Sequence, residues 1–471
     1  MTKTFAFLAA VAAATVAVIA VAGASASAPK PTSWLPAIKG PALTDATSDG
    51  CLFTPLYGFA CYGPYELGKA YNFPNQKKLD GSGQTIVIVD AYGSKTIQSD
   101  LDAFDAHFNV PNTTVQIING PSTGATDGSG DVEDWGVETS LDVEYAHAMA
   151  PGAHIVLAVA YSDDDDDINA AEATVLPRFP GAIVSQSFGG DETDPTATAP
   201  DARAHLIYLG ATILHDTILA SAGDYGATDC FPGNSNCDPN TPVASFPASD
   251  PLVTAVGGTQ GNPYDSGLYQ NGGYGGEAVW NEPDYDAATG GAPSVLFPSP
   301  SFQQSVTHSK QRIVPDVSYN AAIQGGVEVV FTSTEDNVRH VYLVGGTSCG
   351  SPQWASIFAL ANQARAQKHE GPLGYANDNL YNIAKNKKQY QRDFHDITVG
   401  DNKLDETQAG FSASTGYDDA TGLGTPNVSN LVDDLASAKQ GGNPGFPGPG
   451  PLPKGFGKGS HGKPHTMQPG R

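Results

Sequence analysis

The stretch Val341–Ala355, VYLVGGTSCGSPQWA, decides how the rest of the chain is interpreted. Its first four residues have strand-forming character and run into a glycine pair, and a helical pattern of apolar residues begins around Pro352. Ser348 is therefore predicted on a tight strand-to-helix turn, where a helix N-terminus offers unpaired N–H groups and positive partial charge. Such a turn suits the nucleophile of an acyl-transfer reaction. The commoner alternative is that Thr347 or Ser348 only caps the helix.

The N-terminus has the pattern of an export signal. Lys3 is followed by a run of Ala, Val, Ile and Leu that ends in small residues with Ala-x-Ala cleavage options. We interpret residues 1–28 as a secretory signal peptide, and no later apolar run is long enough to cross a bilayer. We therefore expect a secreted, extracellular protein.

The five cysteines fit an exported protein, in which disulfides can form. Cys51 and Cys61 lie ten residues apart, and Cys230 and Cys237 bracket a short loop, so each pair can close a small ring. We predict the disulfides 51–61 and 230–237. Cys349, directly after Ser348, is left unpaired.

The chain is strongly acidic, with 50 acids against 24 bases and a formal charge of −26 over 471 residues. An acidic surface argues against nucleic acid or an anionic membrane as a partner. It also favours, weakly, a protein that works where carboxylates are partly protonated.

Strand and helix patterns alternate between residues 85 and 221, which predicts an α/β fold with a mostly parallel sheet and helices on both faces. The predicted strands are Thr85–Asp90, Thr114–Ile118, Ile155–Ala160, Ala182–Ser187 and Thr217–Ser221, and the predicted helices include Asp134–Ala150, Ala170–Val175 and Pro200–Leu209. Sites in such folds lie at the carboxyl ends of strands. Asp90, Asp224 and the turn Gly345–Ser348 all fall there.

Four segments are predicted to lack regular structure. Pro29–Cys61 is rich in proline, and the acidic run Asp163–Asp167 is most simply a solvated loop, although a cation site there stays open. Gly257–Pro300 suggests long loops over one face. Gly441–Arg471 is dense in Gly and Pro, with four bases and no acid, and is expected to be disordered.

The helix Asp134–Ala150 carries Glu138 and Asp142, which are four residues apart and share one face. On a solvated face such a pair has no function, and other acids nearby support that interpretation. If the two carboxylates are buried, they share protons and titrate as a pair. Such a pair can act as a general base at low pH.

Asp224 stands in LASAGDYG, directly after a buried strand. A turn-forming aspartate is the default explanation. Alternatively, burial keeps Asp224 protonated, so that it donates a hydrogen bond to a developing oxyanion.

Near the C-terminus, Asp396 and Asp418 combine with glycine-rich turns, a weak pattern for Ca²⁺.

Together these segments resemble the sedolisins, the secreted serine-carboxyl peptidases related in fold to subtilisin. Gly345–Pro352 fits their SGTSxxxP motif except for glycine at its first position. Glu138 and Asp142 fit their ExxxD pair ahead of an Ala-Pro-Gly-Ala turn, here Ala150–Ala153. Gly223–Gly226 fits their GDxG turn.

The resemblance implies a peptidase that cleaves polypeptides internally in acid. Ser348 would be the nucleophile, Glu138 its base, Asp142 the partner of that base, and protonated Asp224 the oxyanion donor. Endopeptidase and tripeptidyl-type exopeptidase activity stay open.

The resemblance also implies one Ca²⁺ site. Asp396 and Asp418 would supply carboxylates, and Ile397, Ser414 and Gly416 backbone carbonyls.

The implied architecture is a subtilisin-like three-layer α/β/α fold. The expected divisions are the signal peptide 1–28, an N-terminal extension 29–62 without a long prodomain, a peptidase domain 63–439 and the tail 440–471. We expect a monomer.

Departures from the family pattern are few. Asp90 stands where a longer acid, commonly Glu, is usual, and Phe188 stands where tryptophan is common; both changes would weaken an auxiliary hydrogen-bond network. Cys349 is expected to be a buried, inert thiol, the alternative being sensitivity to thiol reagents.

The sequence disfavours two other functions. A subtilase with a Ser-His-Asp triad needs a His-Gly-Thr type motif, and none of the eleven histidines has one. A catalytically inactive relative acting as a binding module is disfavoured by the intact set Ser348, Glu138, Asp142 and Asp224.

Overall fold

The structure is a computed structural model that describes residues 36–43, 51–124, 131–193, 198–230, 237–264 and 273–441. The predicted signal peptide and the tail beyond residue 441 lie outside the described residues. Within these ranges, no helix combines the length and the apolar character needed to span a bilayer.

The described chain alternates strands and helices. The strands are β1 Ala37–Ala42, β2 Cys61–Tyr62, β3 Thr85–Ala91, β4 Gln116–Asn119, β5 His154–Ala160, β6 Ile183–Gln186, β7 Gly190–Asp191, β8 Thr217–Ser221, β9 Ser245–Phe246, β10 Val253–Gly261, β11 Glu277–Val279, β12 Asn281–Glu282, β13 Ala287–Ala288, β14 Ala292–Pro298, β15 Gln311–Val314, β16 Val317–Asn320, β17 Gly326–Thr332, β18 Arg339–Val344, β19 Phe394–His395 and β20 Thr425–Pro426. The helices are α1 Thr54–Tyr57, α2 Pro64–Ala70, α3 Ile97–Phe108, α4 Val132–Met149, α5 Asp165–Val175, α6 Thr198–Ile213, α7 Ser301–Thr307, α8 Gly350–Gln367, α9 Asn377–Lys385, α10 Lys387–Asp393 and α11 Val428–Leu435.

The central sheet of the described residues has eight strands in the order β11-β10-β8-β6-β3-β5-β4, with β16 also paired to β10. Its pairs are parallel apart from the antiparallel pair of β10 and β11. The predicted α/β class with a mostly parallel sheet is confirmed.

The sheet is buried on both faces, as the apolar character of β3 requires. Ile86 and Ile88 pack into a core shared with α3, α4, α8 and α11, whereas Val87 and Val89 pack into a core shared with α5 and α6. Because successive side chains of a strand alternate in direction, one short strand contributes to both cores. The result is the three-layer α/β/α arrangement.

A smaller sheet, in the order β1-β18-β17-β2, carries the N-terminal part of the described chain. β1 runs antiparallel to β18, with Ala37 opposite Val344, and the Gly345 N–H donates to the Pro36 carbonyl at 2.9 Å. The prediction of a loop over Pro29–Cys61 is therefore wrong in this part, because the free edge of β18 offered an extended segment a hydrogen-bonding partner.

Two further predictions need correction. In its described residues, which omit 265–272, Gly257–Pro300 is not chiefly loop: β10 continues to Gly261, and β11 to β14 follow, because backbone pairing holds strands whose own sequence is rich in glycine. The acidic run is not wholly a loop either, because α5 begins at Asp165. Asp164 caps this helix by accepting the Asp166 N–H at 2.9 Å, and acids are favourable in a first helical turn.

Both predicted disulfides are present. Cys51 is bonded to Cys61, and Cys230 to Cys237. Cys349 is free and fully buried, as predicted. Burial raises the pKa of its thiol well above the ordinary value, so it is a poor nucleophile and an inert packing residue.

Candidate active site

Ser348 lies on the turn that connects β18 to α8. β18 ends at Val344, Thr347–Cys349 form a single 3-10 turn, and α8 begins at Gly350. Ser348 is only 6 % exposed. The predicted strand-to-helix turn is confirmed, and Ser348 lies just after the carboxyl end of β18.

The two glycines before Ser348 allow this turn to approach other backbone closely. Gly346 has φ of 98°, a conformation that a residue with a Cβ rarely adopts. A Cβ at Gly345 would lie 2.8 Å from the Ala321 carbonyl and 2.9 Å from the Ile323 nitrogen. The departure from the SGTS motif therefore has a steric reason, because serine at 345 would clash with that backbone.

Glu138 and Asp142 lie inside the protein, on α4. Both are 0 % exposed, so the alternative of a solvated pair on the helix surface is wrong. α4 packs against α8 and against the turn that carries Ser348. The side chain of Asp131 caps the start of α4 by accepting the Asp134 N–H at 3.1 Å.

Glu138 is brought next to Ser348, although the two residues are separated by more than two hundred positions. Burial and the nearby carboxylate of Asp90 raise the pKa of Glu138 well above its ordinary value, and the Ser348 hydroxyl opposes this rise. Neither Glu138 oxygen has a hydrogen bond of regular geometry within the described residues. The Ser348 hydroxyl is therefore close to the Glu138 carboxyl group without a hydrogen bond of regular geometry between them.

Asp90, at the end of β3, is the third member of this carboxyl cluster. It is fully buried, and burial raises its pKa while the Thr139 hydroxyl opposes the rise. After burial, the charge of Asp90 is the largest cause that raises the pKa of both Glu138 and Asp142. The side chain of Asp90, although shorter than the glutamate that is usual at this position, thus still lies close enough to act on Glu138 and Asp142.

Asp142 is held by a residue that the sequence did not single out. The Ser187 hydroxyl donates to Asp142 Oδ1 at 2.9 Å, while Asp142 Oδ2 has no hydrogen-bond partner among the described residues. Burial raises the pKa of Asp142, with Asp90 and Glu138 adding to the rise and Ser187 opposing it. The available signal was the position of Ser187, just after β6 at the carboxyl edge of the sheet.

Asp224 lies beyond the end of β8 and is fixed by Thr347. Its Oδ1 accepts hydrogen bonds from the Thr347 N–H at 2.8 Å and from Thr347 Oγ1 at 2.7 Å. Asp224 keeps an exposed edge, yet burial still raises its pKa, with Thr347 opposing the rise. Its position next to the Ser348 turn suits a protonated carboxyl that donates to an oxyanion.

Four predicted residues therefore converge from β8, the β18–α8 turn and α4. Three buried carboxyl groups without a neighbouring cation cannot all ionise, so Asp90, Glu138 and Asp142 share protons. The histidine of the same helix is engaged elsewhere: His147 Nε2 lies 2.7 Å from the Pro111 carbonyl and 3.4 Å from Asp105. Within the described residues, the titratable side chain that contacts the Ser348 hydroxyl is thus the carboxyl group of Glu138.

The second departure from the family pattern is also explained by packing. Phe188, where tryptophan is common, is half-buried, and its ring lies 6.5 Å from that of Trp135. It fills an apolar position beside the cluster and brings no hydrogen-bond donor to it.

The predicted calcium ligands lie in two neighbouring loops, in which Ser414 is exposed whereas Ile397 and Asp418 are buried. Asp396 accepts the Gly416 N–H at 3.0 Å, and Asp418 Oδ2 accepts the Ser414 N–H at 3.0 Å. Burial, Asp396 and Asp418 together raise the pKa of Tyr390, which shows that both carboxylates lie near one phenol. In the described part of the chain, the carbonyls of Ile397, Ser414 and Gly416 accept no hydrogen bond. Two carboxylates and three free carbonyls are a donor set that fits a hard cation such as Ca²⁺.

Comparison with known proteins gives a consistent set of relatives. No family model matches the chain. The chain is 34 % identical to kumamolisin of Bacillus sp. (strain MN-32) over 384 residues, which are 79 % of this chain and 63 % of that protein. It is 28 % identical to sedolisin of Pseudomonas sp. (strain 101) over 359 residues, which are 74 % of this chain and 57 % of that protein. It is 29 % identical to tripeptidyl-peptidase 1 of Dictyostelium discoideum over 346 residues, which are 71 % of this chain and 52 % of that protein.

These matches span about half to two thirds of the length of the curated relatives. Among solved structures, the chain resembles Pseudomonas sedolisin, a serine-carboxyl proteinase complexed with pseudo-iodotyrostatin, with a TM-score of 0.67 and 24 % identity. The match covers 80 % of this chain and 99 % of that one, and it establishes the fold. Relatives and fold agree with the residues brought together around Ser348: the chain belongs to the sedolisin family, with its subtilisin-like architecture.

Proposed function

We propose that this chain is an exported serine-carboxyl endopeptidase that cleaves polypeptides in acid through Ser348, Glu138, Asp142 and Asp224. The observation that carries the proposal is the convergence of Ser348 with a buried carboxyl cluster in which the described residues include no histidine. The family of its relatives supports the same reaction class. Two disulfides and the acidic surface agree with export.

The proposed reaction begins at the Ser348 hydroxyl. Glu138 takes its proton as Ser348 Oγ attacks the peptide carbonyl, and Asp142 holds and tunes Glu138. The carbonyl oxygen becomes an oxyanion, which accepts hydrogen bonds from protonated Asp224 and from the Ser348 N–H. Glu138 returns the proton to the leaving amine, and water then clears the acyl-enzyme by the same steps.

The pH dependence follows from the directions of the pKa shifts. Activity requires the carboxyl cluster to have lost enough protons for Glu138 to act as a base, which sets the acid limb of the profile. It also requires Asp224 to keep its proton, which sets the alkaline limb. Because burial raises the pKa of Asp224, the proton stays on Asp224 to a higher pH than on an exposed aspartate.

Glu138→Gln and Glu144→Gln form a matched pair for the test. Both acids are fully buried on α4, but Glu144 Oε2 accepts the Val330 N–H at 3.0 Å and takes no part in the proposed chemistry. We expect Ser348→Ala and Glu138→Gln to lower kcat by about 10³-fold or more, and Glu144→Gln to change it little. Equal losses in both glutamine variants, or full activity in Ser348→Ala, would reject the assignment.

A tripeptidyl-type exopeptidase is the second candidate, because the relatives include tripeptidyl-peptidase 1. A peptide and its N-acetylated form separate the two activities. An endopeptidase cleaves both at internal bonds, whereas an enzyme that releases tripeptides needs the free N-terminus.

Calcium is proposed as a stabilising ion held by Asp396, Asp418 and the carbonyls of Ile397, Ser414 and Gly416. When bound, it would cross-link the loop around Asp396 to the turn 414–418. We expect chelation by EGTA to lower Tm and added Ca²⁺ to restore it, and Asp418→Asn to remove most of this response. A Tm indifferent to both treatments would contradict the site.

A further inference from the structure

Helix α6 presents an apolar stripe to solvent. Leu206 is 65 % and Ile213 is 64 % exposed, and Gly210 between them is also exposed. Spacings of four and three residues place these positions on one face of the helix. The opposite face, with Tyr208 and Ala211, is buried against the sheet. Nothing in the described part of the chain covers the stripe.

The C-terminal tail begins at one end of this stripe. Gly441, the last described residue, donates its N–H to the Leu373 carbonyl at 2.9 Å. In the same loop, a Cβ at Gly374 would lie 3.6 Å from His215, which follows the last turn of α6. Gly441, after which the tail 442–471 begins, therefore lies near the C-terminal end of α6.

The other end of the stripe is acidic. Arg203, one turn before Leu206 on the same exposed face, forms an ion pair with Asp166. Asp166 belongs to the acidic run 163–167, and Arg203 also lies near Asp164, because its charge opposes the rise that burial gives to the pKa of Asp164. The tail has the opposite character: it contains the bases Lys454, Lys458, Lys463 and Arg471 and no acid.

The tail also has two apolar residues far enough apart to reach both ends of the stripe: the six residues from Phe446 to Leu452 extend to about 18 Å, and the glycines between them let the chain bend to a shorter span. Phe446 and Leu452 stand among prolines and glycines, and the first basic residue, Lys454, comes two positions after Leu452. The stripe from Ile213 to Leu206 is about 10 Å long at the helical rise. A Pro-rich chain spans about 3 Å per residue, so Phe446 reaches about 15 Å from Gly441 and Lys454 about 40 Å.

We propose that residues 442–471 bind along the exposed face of α6 within the same molecule. Phe446 and Leu452 cover Ile213 and Leu206, and the lysines that follow lie against the acidic run 163–167. The apolar residues of the tail thus come before its basic residues, just as the apolar stripe comes before the acidic run for a chain that starts at the C-terminal end of α6. The tail would mask a patch that otherwise promotes association between molecules.

Photo-cross-linking in the full chain tests this proposal. The photoreactive amino acid p-benzoylphenylalanine replaces Phe446, and Ser348→Ala is included so that the protein does not digest its own tail. After irradiation of a dilute sample, mass spectrometry maps the cross-linked peptides. We expect a product of monomer mass with cross-links in residues 203–213.

Surface variants with a matched control complete the experiment. Leu206→Ser together with Ile213→Ser should lower the yield of the α6 cross-link several-fold, whereas Val399→Ser, at a position 64 % exposed elsewhere, should not. Raising KCl from about 20 mM to about 500 mM should lower the yield further, because screening weakens the ionic part. Cross-links scattered over the surface, a product of dimer mass, or a yield indifferent to the double substitution would overturn the proposal.

Discussion

Gly346 lies directly against the carboxyl group of Asp224: a Cβ at Gly346 would be 2.6 Å from Asp224 Oδ2. With φ of 98°, Gly346 is also in a conformation that strains any other residue. We expect Gly346→Ala to displace Asp224 and to lower kcat/KM by about 10²-fold or more, the usual loss for one oxyanion donor. Gly68→Ala, where a Cβ meets nothing within 4 Å, is the control for the added methyl group. Equal activity of both variants would show that Asp224 does not need this contact.

Asp224→Asn and Asp224→Ala differ in whether a donor is kept. Asparagine can still accept both Thr347 hydrogen bonds with its oxygen, and its amide donates at every pH. We therefore expect Asp224→Asn to keep activity within about tenfold and to lose the alkaline limb of the pH profile, whereas Asp224→Ala loses about 10²–10³ in kcat. Profiles of kcat between pH 3 and about 8 provide the measurement. An alkaline limb unchanged in the asparagine variant would assign that limb to another group.

Ser187→Ala removes the hydroxyl that donates to Asp142. A hydrogen bond to a carboxylate lowers its pKa, so its loss should raise the pKa of Asp142 further. The cluster then loses its protons at higher pH, and the acid limb of the kcat profile should move to higher pH by about half a unit to one unit. Ser185→Ala, which removes only the contact with Ser351, is the control on the same strand. A uniform fall in kcat without displacement of the limb would mean that Ser187 acts only through packing.

Glu172 makes the fold more stable in acid than at neutral pH. Burial raises its pKa to about 8, with the Tyr208 hydroxyl opposing the rise, whereas an exposed glutamate titrates near 4.3. The folded state thus favours the protonated acid, and this contribution is complete below about pH 4 and lost as the pH rises towards 8. We expect Glu172→Gln to leave Tm unchanged at pH 4 and to raise it by several degrees at pH 8.5. The exposed Glu370→Gln should change Tm at neither pH; a Glu172→Gln curve parallel to wild type would refute the argument.

The sequence predicts those strands and helices whose pattern of apolar residues lies within the element itself. The apolar run of β3 and the helical pattern of α4 were found because burial on both faces selects such residues. The catalytic set could be proposed because its members stand in short motifs at strand ends. The motifs do not show whether Glu138 and Asp142 are solvated or buried; the packing of the structure shows that both are fully buried.

Features that depend on distant partners could not be predicted. Ser187 carries no local sign that it donates to Asp142, which is 45 residues away. The pairing of β1 with β18 joins segments about three hundred residues apart, and its own sequence, AIKGPA, is a poor strand pattern. The glycine-rich end of β10 was not predicted as a strand for the same reason: hydrogen bonds to the neighbouring strands, and not its own side chains, hold it in the sheet.

The attachment of β1 to β18 has a consequence for maturation. The hydrogen bond from Gly345 to Pro36 lies next to the turn that carries Ser348, so the first described strand supports the turn of the proposed nucleophile. Proteolytic trimming that stops before Pro36 leaves this support intact, whereas a cut that removes β1 would unpair the strand that precedes Ser348. The mature N-terminus of an active molecule should therefore fall upstream of residue 36.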